Sequence, residues 1–354
     1  MISMDAVIFS FTRQGIRCSH AVRLALQKWQ YHVTIYGVEK YITPQDKGVQ
    51  PLQDSLRDTV GKAFSSAQCL IFIGAAGIAV RSIAPYLQSK KTDPAVVVVD
   101  EKGEYIIPLL SGHIGGANNL AVLLARALKG QAVLTTATDV NHVFAVDEWA
   151  ARHGLVIASM DDAKAFAAAI VEQKKAGFCS DFPIEGALPP SLYAAKTGTV
   201  GVALSLRADT HPFTTTVVVQ PKIFHLGIGC RAGITAGAVS DAVDQALTDM
   251  GILKDAVVAV HSIDLKRYEE GIIAFCKSRQ IPFTTFSAAK LAALPGRFTA
   301  SSFVLRTVGV DNVCERAAVC GSHGGTLIMR KTAYEGVTLA MAYERYNVSF
   351  TMKE

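Results

Sequence analysis

The chain is poor in charge. Asp, Glu, Lys and Arg make up only 18% of its 354 residues, and 35 basic against 30 acidic side chains leave a formal charge of +5. A disordered chain would combine low hydrophobicity with high net charge, so that class is excluded. No long basic run supplies the footprint of a nucleic-acid binder. Aromatics are equally sparse at 8%, so the core has to be built from Ala, Val, Leu and Ile. No apolar run approaches the ~18 residues of a membrane span. The opening residues, MISMDAVIFSFTRQG, lack the basic and long apolar segments of a secretory leader. Seven widely spaced cysteines contain no Cys-x-x-Cys pair, which favours reduced thiols in a cytoplasmic protein over a disulfide framework or a zinc site.

Several catalytic signatures are also missing. There is no Gly-Lys-Ser/Thr of a Walker loop, no His-Glu-x-x-His, no calcium loop and no Gly-x-Ser-x-Gly elbow. A resident metal site is therefore not expected, and Ser111 is not read as a nucleophile.

What is present is alternation. Short apolar runs such as AVIFSFT, HVTIYG, CLIFIG and AVVVVD are separated by helix-like stretches. The continuous run Ala95–Val99 suits a strand covered on both faces. The pattern predicts an α/β fold with two parallel-sheet α/β domains joined by a smaller middle α/β region. The boundaries fall at residues 1–140, 141–220 and 222–354. Within the middle region the stretch FCSDFPIEGALPPSLYAAKTGTVG reads as an exposed loop, and HVFAVDEWAARHG as a helix. In the last region SFVLRTVGV reads as a strand, and TLIMRKT with VTLAMAYE as a final hairpin.

Five stretches carry candidate chemistry. In IGAAGIAVRSIAP, Gly74 and Gly77 turn a strand into a helix, with Arg81 one turn further on. The turn either cradles a carboxylate or phosphate, or is a plain glycine turn with a surface arginine. KKTDPAVVVVDEKG offers Asp93 and Asp100, each also readable as a turn residue. LLSGHIGGANNLA is the sharpest. His113 is the natural acid or base near neutral pH. Ser111, Asn118 and Asn119 can hydrogen-bond a ligand or the imidazole, and Gly115 and Gly116 permit close approach. TTATDVN places Thr136 at a strand end and Asp139 as a helix cap. HLGIGCRAG contains Gly227, Gly229 and Ala232 in a relaxed dinucleotide pattern. It equally suits a carboxylate paired with Arg231, beside which Cys230 is either a thiol of lowered pKa or a small structural residue of a tight turn. His323, in GSHGG, reads as exposed.

These stretches carry a resemblance. GAAGIAVRSIAP, KKTDPAVVVVDEKGEYIIPLLSGHIGGANNLA, TTATDVNHVFAVDEWA, GIGCRAG, HSIDLKRYEEGI, VGVDNVCERAAV and TLAMAYE resemble, in this order, the cobalt-precorrin-5A hydrolase family of anaerobic cobalamin biosynthesis. Ala232 departs from the second basic residue that the family often has. The resemblance implies opening of the δ-lactone of cobalt-precorrin-5A and release of acetaldehyde to give cobalt-precorrin-5B. It implies an anionic tetrapyrrole as the partner, with hand-over to other enzymes of the pathway and no nucleic-acid or membrane partner. It implies no cofactor, the cobalt being carried by the substrate. On this reading Arg81, Lys90, Lys91 and Arg231 hold the carboxylates of the ring. His113 is the base, Asp93 orients it or shares the proton, and amides near Gly115 and Gly116 stabilise the oxyanion. A non-catalytic tetrapyrrole carrier and a nucleotide-dependent enzyme are the competing readings.

Overall fold

Alternating side chains of the apolar strands have to reach opposite faces of a sheet, and the computed structural model builds its first layers on that rule. It describes residues 4–89, 92–113 and 115–350; Lys90 and Lys91 lie outside them. The chain divides between Glu148 and Trp149 into two compact units.

The first unit contains β1 (Met4–Ser10), α1 (Arg13–Lys28), β2 (Tyr31–Gly37), β3 (Val49–Pro51), α2 (Leu56–Ser66), β4 (Cys69–Ile73) and α3 (Ala76–Ile83). It continues with β5 (Ala95–Val99), β6 (Tyr105–Leu110), α4 (Ala117–Leu128), β7 (Gln131–Ala132) and α5 (Ala137–Val140), and α6 (Val146–Arg152) carries the boundary. The strand order is β3-β2-β1-β4-β5-β6-β7. Ile8, Ile71 and Val97 bury against α1 and α4 on one face. Their chain neighbours Phe9, Phe72 and Val98 bury with residues of α2 and α3 on the other. That period of two explains the fully apolar strands.

One reversal decides where a site can form. β1 to β5 are mutually parallel. β6 runs antiparallel to β5, with Val99 opposite Ile106 and Val96 opposite Leu110. β7 is parallel to β6. The carboxyl ends of β6 and β7 therefore emerge at the edge where β4 and β5 begin. The Gly74 turn lies at the other edge, where its amide donates to the Val99 carbonyl at 2.9 Å. Roughly 15 Å of sheet, the length of a five-residue strand, separates the two.

The second unit contains two five-stranded sheets. β8 (Leu155–Ile157), α7 (Met160–Gln173), β9 (Ala176–Ser180), β10 (Ile184–Glu185), β11 (Leu192–Ala194), β12 (Gly198–Leu204) and β13 (Phe213–Pro221) come first. Their sheet runs β11-β9-β12-β13-β8, parallel except for β8. Then come β14 (Phe224–Cys230), α8 (Ala236–Met250), β15 (Val257–Ile263), α9 (Glu270–Arg279), β16 (Phe283–Phe286) and α10 (Ala288–Ala292). The chain ends with α11 (Ser302–Val308), α12 (Cys314–Gly321), β17 (Thr326–Tyr334), β18 (Val337–Tyr343) and β19 (Val348–Ser349). The second sheet runs β16-β15-β14-β18-β17, and the expected hairpin is its antiparallel pair β17–β18. β19 pairs with β10.

Three local expectations change. SFVLRTVGV forms helix α11 rather than a strand. The Ser301 hydroxyl caps it by accepting from Val304 N at 3.4 Å, Gly309 at φ 75° ends it, and none of its residues is buried. A run of apolar residues without a covered face cannot stand as a strand in a sheet. The stretch read as an exposed loop supplies the end of β9, all of β10 and β11, and the start of β12, because strands of two to five residues are too short to show a period. His142, at φ 52°, interrupts the expected HVFAVDEWAARHG helix, which begins only at Val146.

Candidate active site

His113 stands where β6 delivers it, just before α4. Ser111 takes a left-handed φ of 55° and donates its hydroxyl to the Asp93 carbonyl at 2.8 Å. The loop then folds onto the start of α4. Gly116 N donates to His113 O at 3.0 Å, Ala117 N to Ser111 O at 3.1 Å and Asn118 N to Gly112 O at 3.0 Å. A Cβ at Gly115 would lie 2.4 Å from the Ser111 Cβ, and Gly116 has a φ of +81°. No larger residue closes this turn without moving it. The glycines thus build the loop around the histidine, and the Gly116 amide is already engaged within it.

The imidazole is clamped between two carboxylates. Nδ1 lies 3.1 Å from Asp147 Oδ2. Nε2 lies 3.2 Å from Thr138 Oγ1 and 3.6 Å from Asp139 Oδ2. Asp139 and then Asp147 raise the His113 pKa to about 10 against the opposing effect of burial. At neutral pH the ring is an imidazolium with both N–H groups directed at acceptors. Burial opposes ionisation of Asp147, yet His113 holds its carboxyl below the usual range. The side chains of His113, Asp139 and Asp147 keep 18%, 21% and 26% of their surface exposed, so a ligand can reach them.

A second layer holds Asp139. Buried Asn118 donates Nδ2 to Asp139 Oδ2 at 2.7 Å and to Thr136 Oγ1 at 3.1 Å. The Thr136 hydroxyl donates to the same Asp139 oxygen. Asn118 and Thr136 are thereby tied to His113 through Asp139. Asn119, on the next position of α4, is half-buried.

Asp93 is placed differently. Its carboxylate accepts from Gln88 N at 3.1 Å and from Ser89 N at 3.1 Å, and it is buried. Its link to the site is its backbone carbonyl, which receives Ser111. Asp93→Ala leaves two amides without their acceptor, and the expected cost is about 1–3 kcal/mol of stability. A lowered thermal midpoint with kcat unchanged checks this; a kcat loss at an unchanged midpoint would return the carboxylate to the chemistry.

The other candidates lie apart from His113. Gly74, Gly77 and exposed Arg81 follow the opposite edge of the same sheet. Gly227 and Gly229 belong to the second unit and sit inside β14 rather than in a turn. A Cβ at Gly227 would meet the Cys314 carbonyl at 1.8 Å, and one at Gly229 the Thr338 hydroxyl at 2.6 Å, so packing of α12 and β18 requires them. Burial raises the Cys230 pKa, with Lys266 opposing it, which corrects the expected lowering. Arg231 is exposed. Beyond it, the turn already has a carboxylate: Glu269 accepts from Gly233 N at 2.7 Å and pairs with Lys266 at 2.8 Å. His323 is exposed as expected. His261 is buried and shares a 2.8 Å hydrogen bond with His225.

Sequence reasoning missed Asp147 and Thr138 as partners of the histidine and read Asp139 only as a cap. Asp147 is 34 residues from His113, and no spacing rule joins them. Only the long stretch TTATDVNHVFAVDEWA, taken whole, carried the signal.

Three family models match the chain in succession. Cobalamin synthesis G N-terminal covers residues 58–139, the cobalamin biosynthesis central region 144–221 and cobalamin synthesis G C-terminus 224–342. The chain is 34% identical to cobalt-precorrin-5A hydrolase of Salmonella typhimurium, over 84% of this chain and 88% of that protein. It is 29% identical to cobalt-precorrin-5A hydrolase of Priestia megaterium, over 97% and 96%. A crystal structure of a candidate cobalamin biosynthesis protein G homologue from Sulfolobus solfataricus aligns over 96% of this chain and 97% of that one, with 18% identity and a TM-score of 0.41.

Proposed function

The chain belongs to the cobalamin synthesis G family, and from that premise we propose that it is a cobalt-precorrin-5A hydrolase that opens the δ-lactone and releases acetaldehyde to give cobalt-precorrin-5B. The observation that carries the chemistry is the His113 imidazolium held between Asp147 and Asp139 at an accessible sheet edge.

Lactone opening expels an alkoxide, which is a far stronger base than imidazole. An imidazolium with a pKa near 10 is still acidic enough to protonate that oxygen as the carbonyl carbon–oxygen bond breaks. The ring of His113 is then neutral and unusually basic. It takes the proton of the new hydroxyl, the carbon–carbon bond breaks, acetaldehyde leaves and a proton from solvent caps the macrocycle carbon. His113 ends as it began, an imidazolium. It acts as acid first and base second, which refines its sequence-based reading as a resting base. The cobalt travels with the substrate, and the enzyme needs no cofactor of its own. The product passes on to later enzymes of the same pathway in the cytoplasm. Among the described residues no helix is long and apolar enough to cross a membrane.

Purified protein incubated anaerobically with cobalt-precorrin-5A is expected to release one acetaldehyde per substrate without nucleotide or added metal. Tight binding without acetaldehyde would identify a carrier instead, and dependence on NAD or ATP would overturn the hydrolase reading.

A further inference from the structure

The imidazolium supplies a proton to the leaving group but cannot take one from the attacking water. We propose that Asp139 is the general base for lactone opening, acting through its Oδ1 oxygen. This rests on the hydrolase reading.

The two aspartates on either side of His113 are not equivalent. Asp147 has both oxygens engaged: Oδ2 faces His113 Nδ1 at 3.1 Å, and Oδ1 accepts from Glu148 N at 3.1 Å. It also sits on the Nδ1 side of the ring, away from the proton that is transferred. Asp139 sits on the Nε2 side. Its Oδ2 is fixed by Asn118 and Thr136 and lies 3.6 Å from His113 Nε2. Its Oδ1 has no hydrogen-bond partner among the described residues, and the side chain is 21% exposed. One carboxylate oxygen is thus anchored while the other is open for a water beside the acid proton. Asn118 donates to this pair from the buried side, which fixes the orientation of the carboxylate.

The step balances. Water adds to the lactone carbonyl and its proton goes to Asp139 Oδ1. The carbonyl carbon–oxygen bond of the ring breaks, and His113 Nε2 protonates the departing oxygen. The products are a carboxyl group and a hydroxyl. Asp139 then releases its proton to solvent through its exposed face. Carbon–carbon cleavage follows with neutral His113 as base and does not use Asp139. The two residues therefore differ in which step they serve, and this separates a base from a group that only holds His113 in place.

The test compares two substrates with one variant. Asp139→Asn keeps an oxygen for Asn118 and Thr136 but cannot take a proton. Lactone opening of cobalt-precorrin-5A, followed by chromatography, is expected to fall about 100-fold or more. Acetaldehyde release from the same substrate opened beforehand by mild alkali, which uses the fraction of His113 that is neutral at the assay pH, is expected to persist, so the ratio of the two rates collapses. Loss of an acidic partner also lowers the His113 pKa, and release from the opened substrate shifts its pH dependence downward. In Asp139→Ala, added formate is expected to restore part of the opening rate, which a purely structural role would not allow. Equal loss of both steps without formate rescue, or unimpaired opening by Asp139→Asn, overturns the assignment while leaving the hydrolase reading intact. A wild-type protein that opens no lactone overturns both.

Discussion

His113→Asn is expected to lower acetaldehyde release from cobalt-precorrin-5A by about three orders of magnitude, within the range for loss of a general acid–base group. Unlike Asp139→Asn, it should also impair the pre-opened substrate, because the same ring supplies the base for carbon–carbon cleavage. Asparagine is the informative replacement. Its amide can still donate to Asp147, where the Nδ1 group does, so that carboxylate keeps a partner. Alanine would leave Asp147 and Asp139 facing a space with no cation between them, and an uncompensated, largely buried charge destabilises the fold. Substrate affinity, read by titrating the visible absorbance of the corrinoid, is expected to survive. Turnover close to wild type in His113→Asn would remove the histidine from the chemistry and leave it as a ring contact.

Much of this site was legible in LLSGHIGGANNLA, for a physical reason. A histidine between glycines at a strand end has few structural uses, and the turn's need for Gly115 and Gly116 is local. Asn118 and Thr136 were found for the same reason: polar residues at the ends of an apolar strand and helix point to the same edge. The partners of the ring were not legible. Asp139 has the sequence context of a cap for a helix beginning near His142, whereas it lies inside the short α5 that Thr136 precedes, so its pairing with the ring is invisible without the fold. Asp147 reaches His113 only because α6 begins near the edge where β6 and β7 end. Asp93 looked catalytic because acidic residues near strand ends often are, but its carboxylate is satisfied by the turn it closes.

The sheet reversal accounts for the largest gap between pattern and structure. Apolar alternation marks β4, β5 and β6 as strands but carries no sign of direction. Reading all of them as parallel puts the Gly74 turn and the His113 loop on one edge, where a single ligand would touch both. With β6 reversed they face opposite edges, and Arg81 belongs to the far one. In the second unit, GIGCRAG misled for a related reason. Glycines required by packing of α12 and β18 against β14 are spaced like glycines required by a phosphate, and Glu269, just before α9, fills the turn that a ligand carboxylate was expected to use.

Raising the pH through about 10 is expected to abolish the lactone-opening activity, with a flat profile across neutrality. His113 has a folded-state pKa of about 10, above its ordinary 6.5. The ion pair and the acid form are therefore fully present below the ordinary value and are lost only as pH rises through the raised one. Stability should follow the same sign, with the contribution of the His113 pairing disappearing in the alkaline range. Asp147→Asn removes one of the two carboxylates that raise the His113 pKa and leaves Asp139. Its alkaline limb is expected to move down by about one unit, which is tenfold in the population of the acid form at a fixed pH above the new limb. Opening rates measured from pH 6 to pH 10.5 for both proteins decide the matter. A wild-type rate that rises through pH 7 to 9 would mean that the resting ring is neutral and acts as a base from the start. An Asp147→Asn limb that coincides with wild type would mean that Asp147 positions the ring without tuning its proton affinity.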